Sequence, residues 1–427
     1  MRSPDFYRQF GVYGGGVFFA VTSLAQPFFT LYAQKIGAST GEIGWLITLR
    51  SLFPIFVALP AGQLIDLLGP IRMLKYGSLF LIASLAVNAM ATNLWMLALS
   101  QVLLGVCMVV MASSFQVLVS EGPKEKRNAS INRYSMWMSG GTMVGPLIGG
   151  GLSSLFATEL DGYRFNFIFS CSVSVLFLLT LLAVSRGYVR ESARDEGGGM
   201  SVRDVFKPRG IRDSYMSGIH LTRNRAVQFG LTGTFLIMFI QVLYMGFIPI
   251  YLDELGYSTM LISLIVSVKG LAGMLARFVL NWIMKIAPLE RILIVAGFSA
   301  AICLIVTPIG SMLAATMVVL AFLMGAATGI NMPVSIMIMV NDTAESERGR
   351  LMGLRLLVNR FSQVVSPALF GSLGAAIGLT AAFYSGGALL LATMGGFSLY
   401  SKFIARKNAD YDAQMQRDLR ERPSVQA

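Results

Sequence analysis

Charge is scarce in this sequence. Only 13% of its 427 residues are Asp, Glu, Lys or Arg, about half the share of an ordinary soluble domain, whereas 55% are hydrophobic. Histidine occurs once, at His220, and cysteine three times, at Cys107, Cys171 and Cys303. The cysteines all fall in apolar stretches, with neither metal-ligand spacing nor a disulfide framework, so they read as packing residues and no metal or other cofactor is expected. A coherent nucleophile–base pair and a nucleotide loop of the Walker type are both missing, which argues against an enzyme. There is also no short apolar core followed by a small-residue cleavage site at the start, so the first apolar stretch reads as a retained span.

What the sequence has in quantity is long apolar runs. A helix needs about 20 mostly apolar residues to cross the hydrocarbon core. Six candidates precede a charged interruption at Arg186 to Arg225: Phe10 to Tyr32, Ile43 to Ile65, Leu74 to Met90, Leu94 to Val119, Tyr134 to Phe156 and Phe165 to Val184. Six follow it: Phe229 to Tyr251, Thr259 to Ile283, Ile292 to Ile309, Leu313 to Val340, Leu351 to Leu373 and Thr380 to Phe403. The expected fold is an all-α polytopic membrane protein of twelve transmembrane helices in two six-helix pseudo-repeats. Its parts are an N-terminal bundle (1–185), a cytoplasmic linker (186–228), a C-terminal bundle (229–404) and a cytoplasmic tail (405–427).

The net charge of +12 would suggest nucleic acid in a soluble protein, but the basic residues sit in alternate loops rather than along one stripe. Arg2 and Arg8, Arg72 and Lys75, Lys124 to Arg127, Lys285 and Arg291, and Arg348 and Arg350 share one side with the central loop and the tail. The opposite loops hold little beyond Lys35 and Arg164. The positive-inside rule then predicts a multi-pass protein of the bacterial inner membrane with both termini cytoplasmic, contacting lipid and no nucleic acid. His220 falls in the linker and reads as solvent-exposed. The halves also echo each other: Arg127, Pro146 and Gly150 recur at one constant offset as Arg348, Pro367 and Gly371. Parallel repeats suit a carrier that rocks about a central site.

Two motifs carry a family resemblance. After the second span come Gly62, Asp66, Gly69 and Arg72, and in the fifth span Gly141, Gly145-Pro146 and Gly149-Gly150. The first resembles the loop signature of the major facilitator superfamily, where it serves as a conformational latch. Leu67 and Ile71 replace residues that are often basic there. The second resembles the glycine-proline motif of that superfamily's antiporters and drug exporters; its spacing permits close helix contact, and Pro146 introduces a kink. The fourth span departs from the family's proton-coupled exporters, with Gln101 in place of an arginine one turn before Gly105. Gln101 can hydrogen-bond but cannot titrate.

The charges inside the spans are all basic: Arg50, Lys269, Arg277 and Arg360. Intramembrane ionisable groups mark functional sites, and a basic cavity favours an anionic or zwitterionic small molecule. Arg50 is the first candidate for substrate binding or gating. Arg360, with Asn359, Gln363 and Arg355 nearby, reads as a gate network or a ligand site, Lys269 as a ligand group or a polar helix face, and Arg277 as a cavity residue or one that snorkels to the headgroups. The resemblance implies that spans 1, 4, 7 and 10 line the cavity, which adds Gln26, Gln241, Tyr244 and Asn331, with Pro27 and Pro333 as helix breaks. The expected function is secondary efflux of a small organic anion or amphipathic metabolite by alternating access, as a monomer, with the proton as coupling ion. Uptake of a carboxylated nutrient explains a basic interior equally well. A non-transporting receptor or scaffold is disfavoured because latch-like and gate-like features are both present.

Overall fold

A peptide group left unpaired in hydrocarbon costs several kcal/mol, so a chain this apolar must satisfy its backbone within helices. The computed structural model describes residues 4–120, 124–185, 219–343 and 348–421, with side chains for all of these except 4, 58–60, 66, 124–129, 132, 219–220, 348–350 and 401–421. The side chains of Asp66, Arg127, Arg348 and His220, most of the linker and the end of the tail therefore lie outside the described residues. The first half contains α1 (Pro4–Lys35), α2 (Thr40–Leu68), α3 (Pro70–Met90), α4 (Leu94–Ser120), α5 (Lys124–Ser153) and α6 (Glu159–Ser185). A short 3-10 turn (Ile219–Arg223) leads into α7 (Arg225–Glu254), α8 (Thr259–Ile283) and α9 (Leu289–Gly310). The tenth span is built from two pieces, α10 (Ala314–Gly329) and α11 (Asn331–Asn341), and α12 (Arg348–Ile377) and α13 (Leu379–Glu421) complete the set.

Among the described residues, nine spans are long and apolar enough to cross a membrane on composition alone. The other three helices, α2, α5 and α12, bring the number to twelve. α5 and α12 carry charge and runs of small polar residues, while in α2 the side chains of 58–60 lie outside the described residues; α2 packs extensively against α12 and α5 against α8. A helix that faces protein or a cavity need not be as apolar as one that faces lipid.

The repeat is visible in atomic contacts. In the first half, α5 lies against α1: Gly141 abuts the Gly16 carbonyl, and a β-carbon at Gly145 would stand 2.5 Å from the Ala20 carbonyl oxygen and 2.7 Å from the Leu24 nitrogen. In the second half, α12 lies against α7, where Ser362 Oγ donates to the Phe235 carbonyl at 2.9 Å and Ser366 Oγ to the Phe239 carbonyl at 2.7 Å. In the repeat, Phe235 and Phe239 stand where Gly16 and Ala20 stand in the first half, and Ser362 and Ser366 where Gly141 and Gly145 do. The same approach is achieved by the absence of side chains in one half and by hydroxyl donation in the other. Between the halves, Gly371 rests on Gly44 and Gly150 on Ser263, again matching pairs. The glycine-proline motif thus serves chiefly a seam within its own half, and of its glycines Gly150 is the one that reaches across.

Overpacking a tight helix contact costs about 1–3 kcal/mol. Gly145→Val is therefore expected to lower the thermal unfolding midpoint of the detergent-purified protein clearly. Gly140→Val, at a position with nothing within 4 Å of an added β-carbon, serves as the control. Equal midpoints for the two variants would remove the seam assigned to Gly145.

Candidate functional site

The two bundles enclose a cavity of about 490 Å³. Its position follows from where the halves touch. At the end carrying Lys35, that ammonium bridges Glu159 on α6 at 2.8 Å and Asp253 on α7 at 3.1 Å. Gln34 donates to Glu254 at 3.2 Å, and the Tyr163 hydroxyl lies 3.2 Å from Thr259 Oγ1. Deeper in, Thr48 Oγ1 donates to the Val364 carbonyl at 3.2 Å and Ser51 Oγ to Gln363 Oε1 at 3.4 Å. These links run from the Lys35 end to mid-bundle, and the cavity begins where they stop.

Four cations line it: Arg50 on α2, Lys269 and Arg277 on α8, and Arg360 on α12; no Asp or Glu is among the lining residues. Arg50 and Lys269 occupy matching positions in the two halves. Each is held by the same device, a glycine one helix away that abuts the cation's own carbonyl: Gly105 against Arg50, and Gly325 against Lys269. Neither side chain has an ion pair or hydrogen bond among the described residues. The Lys269 ammonium lies 6.0 Å from the centre of the Tyr244 ring, a cation–π distance.

Arg277 shows why the sequence arrangement matters. Proline has no N–H, so Pro333 leaves the carbonyl one helical turn earlier without a helical donor. That carbonyl belongs to Gly329, the last residue of α10, and Arg277 Nε donates to it at 3.2 Å. The same guanidinium sends Nη1 across to Ser139 Oγ on α5 at 3.1 Å. Arg277 therefore does not snorkel; it closes the break in the tenth span and ties the halves together. The signal that could have found it was Pro333 itself, since a mid-span proline demands a donor from elsewhere.

Arg360 donates to Gln363 Oε1 at 3.2 Å, and Gln363 Nε2 to Asn359 Oδ1 at 3.1 Å. This chain of bonds reaches the first half through Ser51. Gln26 and Gln241 also line the cavity. Asn359 supports Gln363 from behind. Tyr244, Gln101 and Asn331 are buried outside the cavity wall, with the Tyr244 hydroxyl, Gln101 Nε2 and both polar atoms of Asn331 unpartnered. Arg355 donates to Ser335 at 3.3 Å, joining α12 to α11. In the loop signature, neither Gly62 nor Gly69 has any atom within 4 Å of an added β-carbon. Gly69 has φ +84°, which explains the glycine at that tight turn into α3.

Comparison with known proteins agrees with this architecture. The family description "Major Facilitator Superfamily" matches residues 12–315 and 301–410. The chain is 27% identical to the multi-drug resistance efflux pump PmrA homolog of Lactococcus lactis, covering 86% of this chain and 88% of that one. It is 26% identical to the multidrug resistance protein MdtG of Klebsiella pneumoniae, over 85% and 86% respectively. Among solved structures, nucleoside transporter NupG superposes with a TM-score of 0.75 at 11% identity, over 92% of this chain and 98% of that one. A bacterial homolog of the human lysosomal transporter Spinster, in an inward-facing and unoccupied conformation, gives 0.72 at 14% identity, over 92% and 96%. At such identities the structures attest the fold alone.

Removing the Arg277 guanidinium leaves the Gly329 carbonyl unpaired at a cost of about 1–3 kcal/mol. Arg277→Met is expected to lower the unfolding midpoint. Pro333→Ala, which restores an N–H, is expected to recover part of that loss in the double variant. Additive losses in the thermal melts would show that Arg277 does not serve the break.

Proposed function

The chain belongs to the major facilitator superfamily, and on that footing we propose that it exports a small organic anion or amphipathic metabolite by alternating access, driven by proton antiport. The observation that carries the reading is the cavity between the halves, with four cations and no carboxylate in its wall. A positive site of low dielectric attracts anions through charge-assisted hydrogen bonds and repels cations. Met108, Met138, Met245 and Met274, with the rings of Phe19 and Phe29, supply adaptable apolar surface between the charges.

Direction is argued from three supports. The basic-loop asymmetry assigns the termini to the cytoplasm, so the closed Lys35 end faces outward and the cavity loads from within. The glycine-proline motif resembles that of exporters in the family. The two relatives above are named for multidrug resistance, one of them as an efflux pump. For coupling, the protonatable groups lie at the outer latch, where Lys35 joins Glu159 to Asp253. The linker and tail lie on the cytoplasmic side in this scheme, with bundle limits at 1–185 and 229–404.

Transport in vesicles of both orientations tests the proposal. Inverted vesicles with an acidic lumen are expected to accumulate an organic anion, right-side-out vesicles are not, and Arg50→Gln is expected to reduce the rate at least about tenfold, the equivalent of ~1.4 kcal/mol. Accumulation confined to right-side-out vesicles would establish uptake instead. A preference for organic cations would exclude the anionic reading.

A further inference from the structure

The four cations are not spread evenly. Arg50 and Arg360 come from opposite halves at the α2–α12 seam, close enough to feel each other electrostatically, beside the Ser51–Gln363 link. Lys269 and Arg277 lie on α8 at the α5–α8 seam, where Arg277 reaches Ser139. The cavity therefore has two positive poles on opposite seams, with apolar surface such as Met108 and Met245 in its wall. The internal repeat places them there: Arg50 and Lys269 are the same position in each half, braced by the same glycine contact.

We infer that the substrate is an elongated dianion, with two anionic groups separated by an apolar middle, one for each pole; this rests on the anionic reading above. Lys269 is buried and Arg50 partly so, neither has an ion pair or hydrogen bond among the described residues, and a charge so placed is costly unless a ligand compensates it. A single anionic group satisfies one pole and leaves the other exposed. Two groups on one spacer satisfy both, and because Arg50 belongs to one half and Lys269 to the other, the ligand also bridges the parts that must move. At the Arg50–Arg360 pole, where one cation comes from each half, like charge opposes closure of the halves about an unloaded site, and the dianion removes that opposition.

The test uses the full-length protein in lipid nanodiscs and titration calorimetry with α,ω-dicarboxylates of four to eight carbons, their monomethyl esters and the matching diamines. The diacid of best length is expected to bind at least about tenfold tighter than its monoester. Arg50→Gln and Lys269→Gln should each reduce the diacid to the monoester's level while changing monoester affinity only a few-fold. Lys269→Arg, which keeps the charge, should retain the diacid preference, and thermal melts identify any variant that fails to fold. Equal affinity for diacid and monoester in the unmodified protein would overturn the dianion while leaving the anionic reading intact. Binding of the diamines, or of neither acid series, would overturn both.

Discussion

The constraint on which the rest of this structure depends is the pairing of backbone carbonyls in a medium without water. Every proline inside a span breaks one such pair, at the residue one turn earlier. Six of these residues, Ser23, Arg50, Thr142, Met245, Gly329 and Gln363, line the central cavity; they precede Pro27, Pro54, Pro146, Pro249, Pro333 and Pro367. Broken pairs are tolerated where the freed carbonyl meets protein or a cavity and not where it meets lipid. The prolines therefore mark the level at which the helices can bend. At Gly329 the broken pair is repaired by a side chain, and that side chain also links the halves. At Arg50 the freed carbonyl meets Gly105, whose lack of a side chain lets the helices approach.

Charge obeys a related rule. At the Lys35 end, that ammonium is balanced by two carboxylates within 3.1 Å, so that end is closed by mutual attraction and needs no ligand. In the cavity, Arg50 and Lys269 have no such partner among the described residues. The two ends of the same interface thus differ in kind: one has its charges paired, and the other keeps two cations without an ion pair among the described residues. Alternating access requires such an imbalance, because a carrier whose contacts were all satisfied in one state would have no reason to leave it.

Much of this is legible in the sequence, for stated physical reasons. Span number follows from length and apolarity, and the repeat from Pro146, Gly150 and their counterparts Pro367 and Gly371. The cations stand out because charge in an apolar run is costly. What the sequence does not supply is direction. A helix presents every side chain somewhere, and the helical period is little help where all faces are apolar, so Gln26 and Gln241 reach the cavity while Gln101, Tyr244 and Asn331 stand behind its wall. A single offset between the halves, as read from α5 and α12, is also too simple. The first two spans of each half are related by a slightly shorter one, so the pairing of Arg50 with Lys269 emerges only when the contacts of Gly105 and Gly325 are compared.

That pairing has a consequence for how the halves move. In the first half the α1–α5 seam is held by glycine against backbone, with Tyr13 edge-on to Trp137 at 5.1 Å between ring centroids. In the second half Ser362 and Ser366 hold the equivalent α7–α12 seam by hydrogen bonds. A hydrogen bond formed away from water resists separation and fixes register, whereas a smooth glycine surface permits small sliding without breaking a directional contact. The second half also carries three of the four cavity cations, so two halves built on one repeat differ both in how their seams are held and in the charge they bring to the cavity.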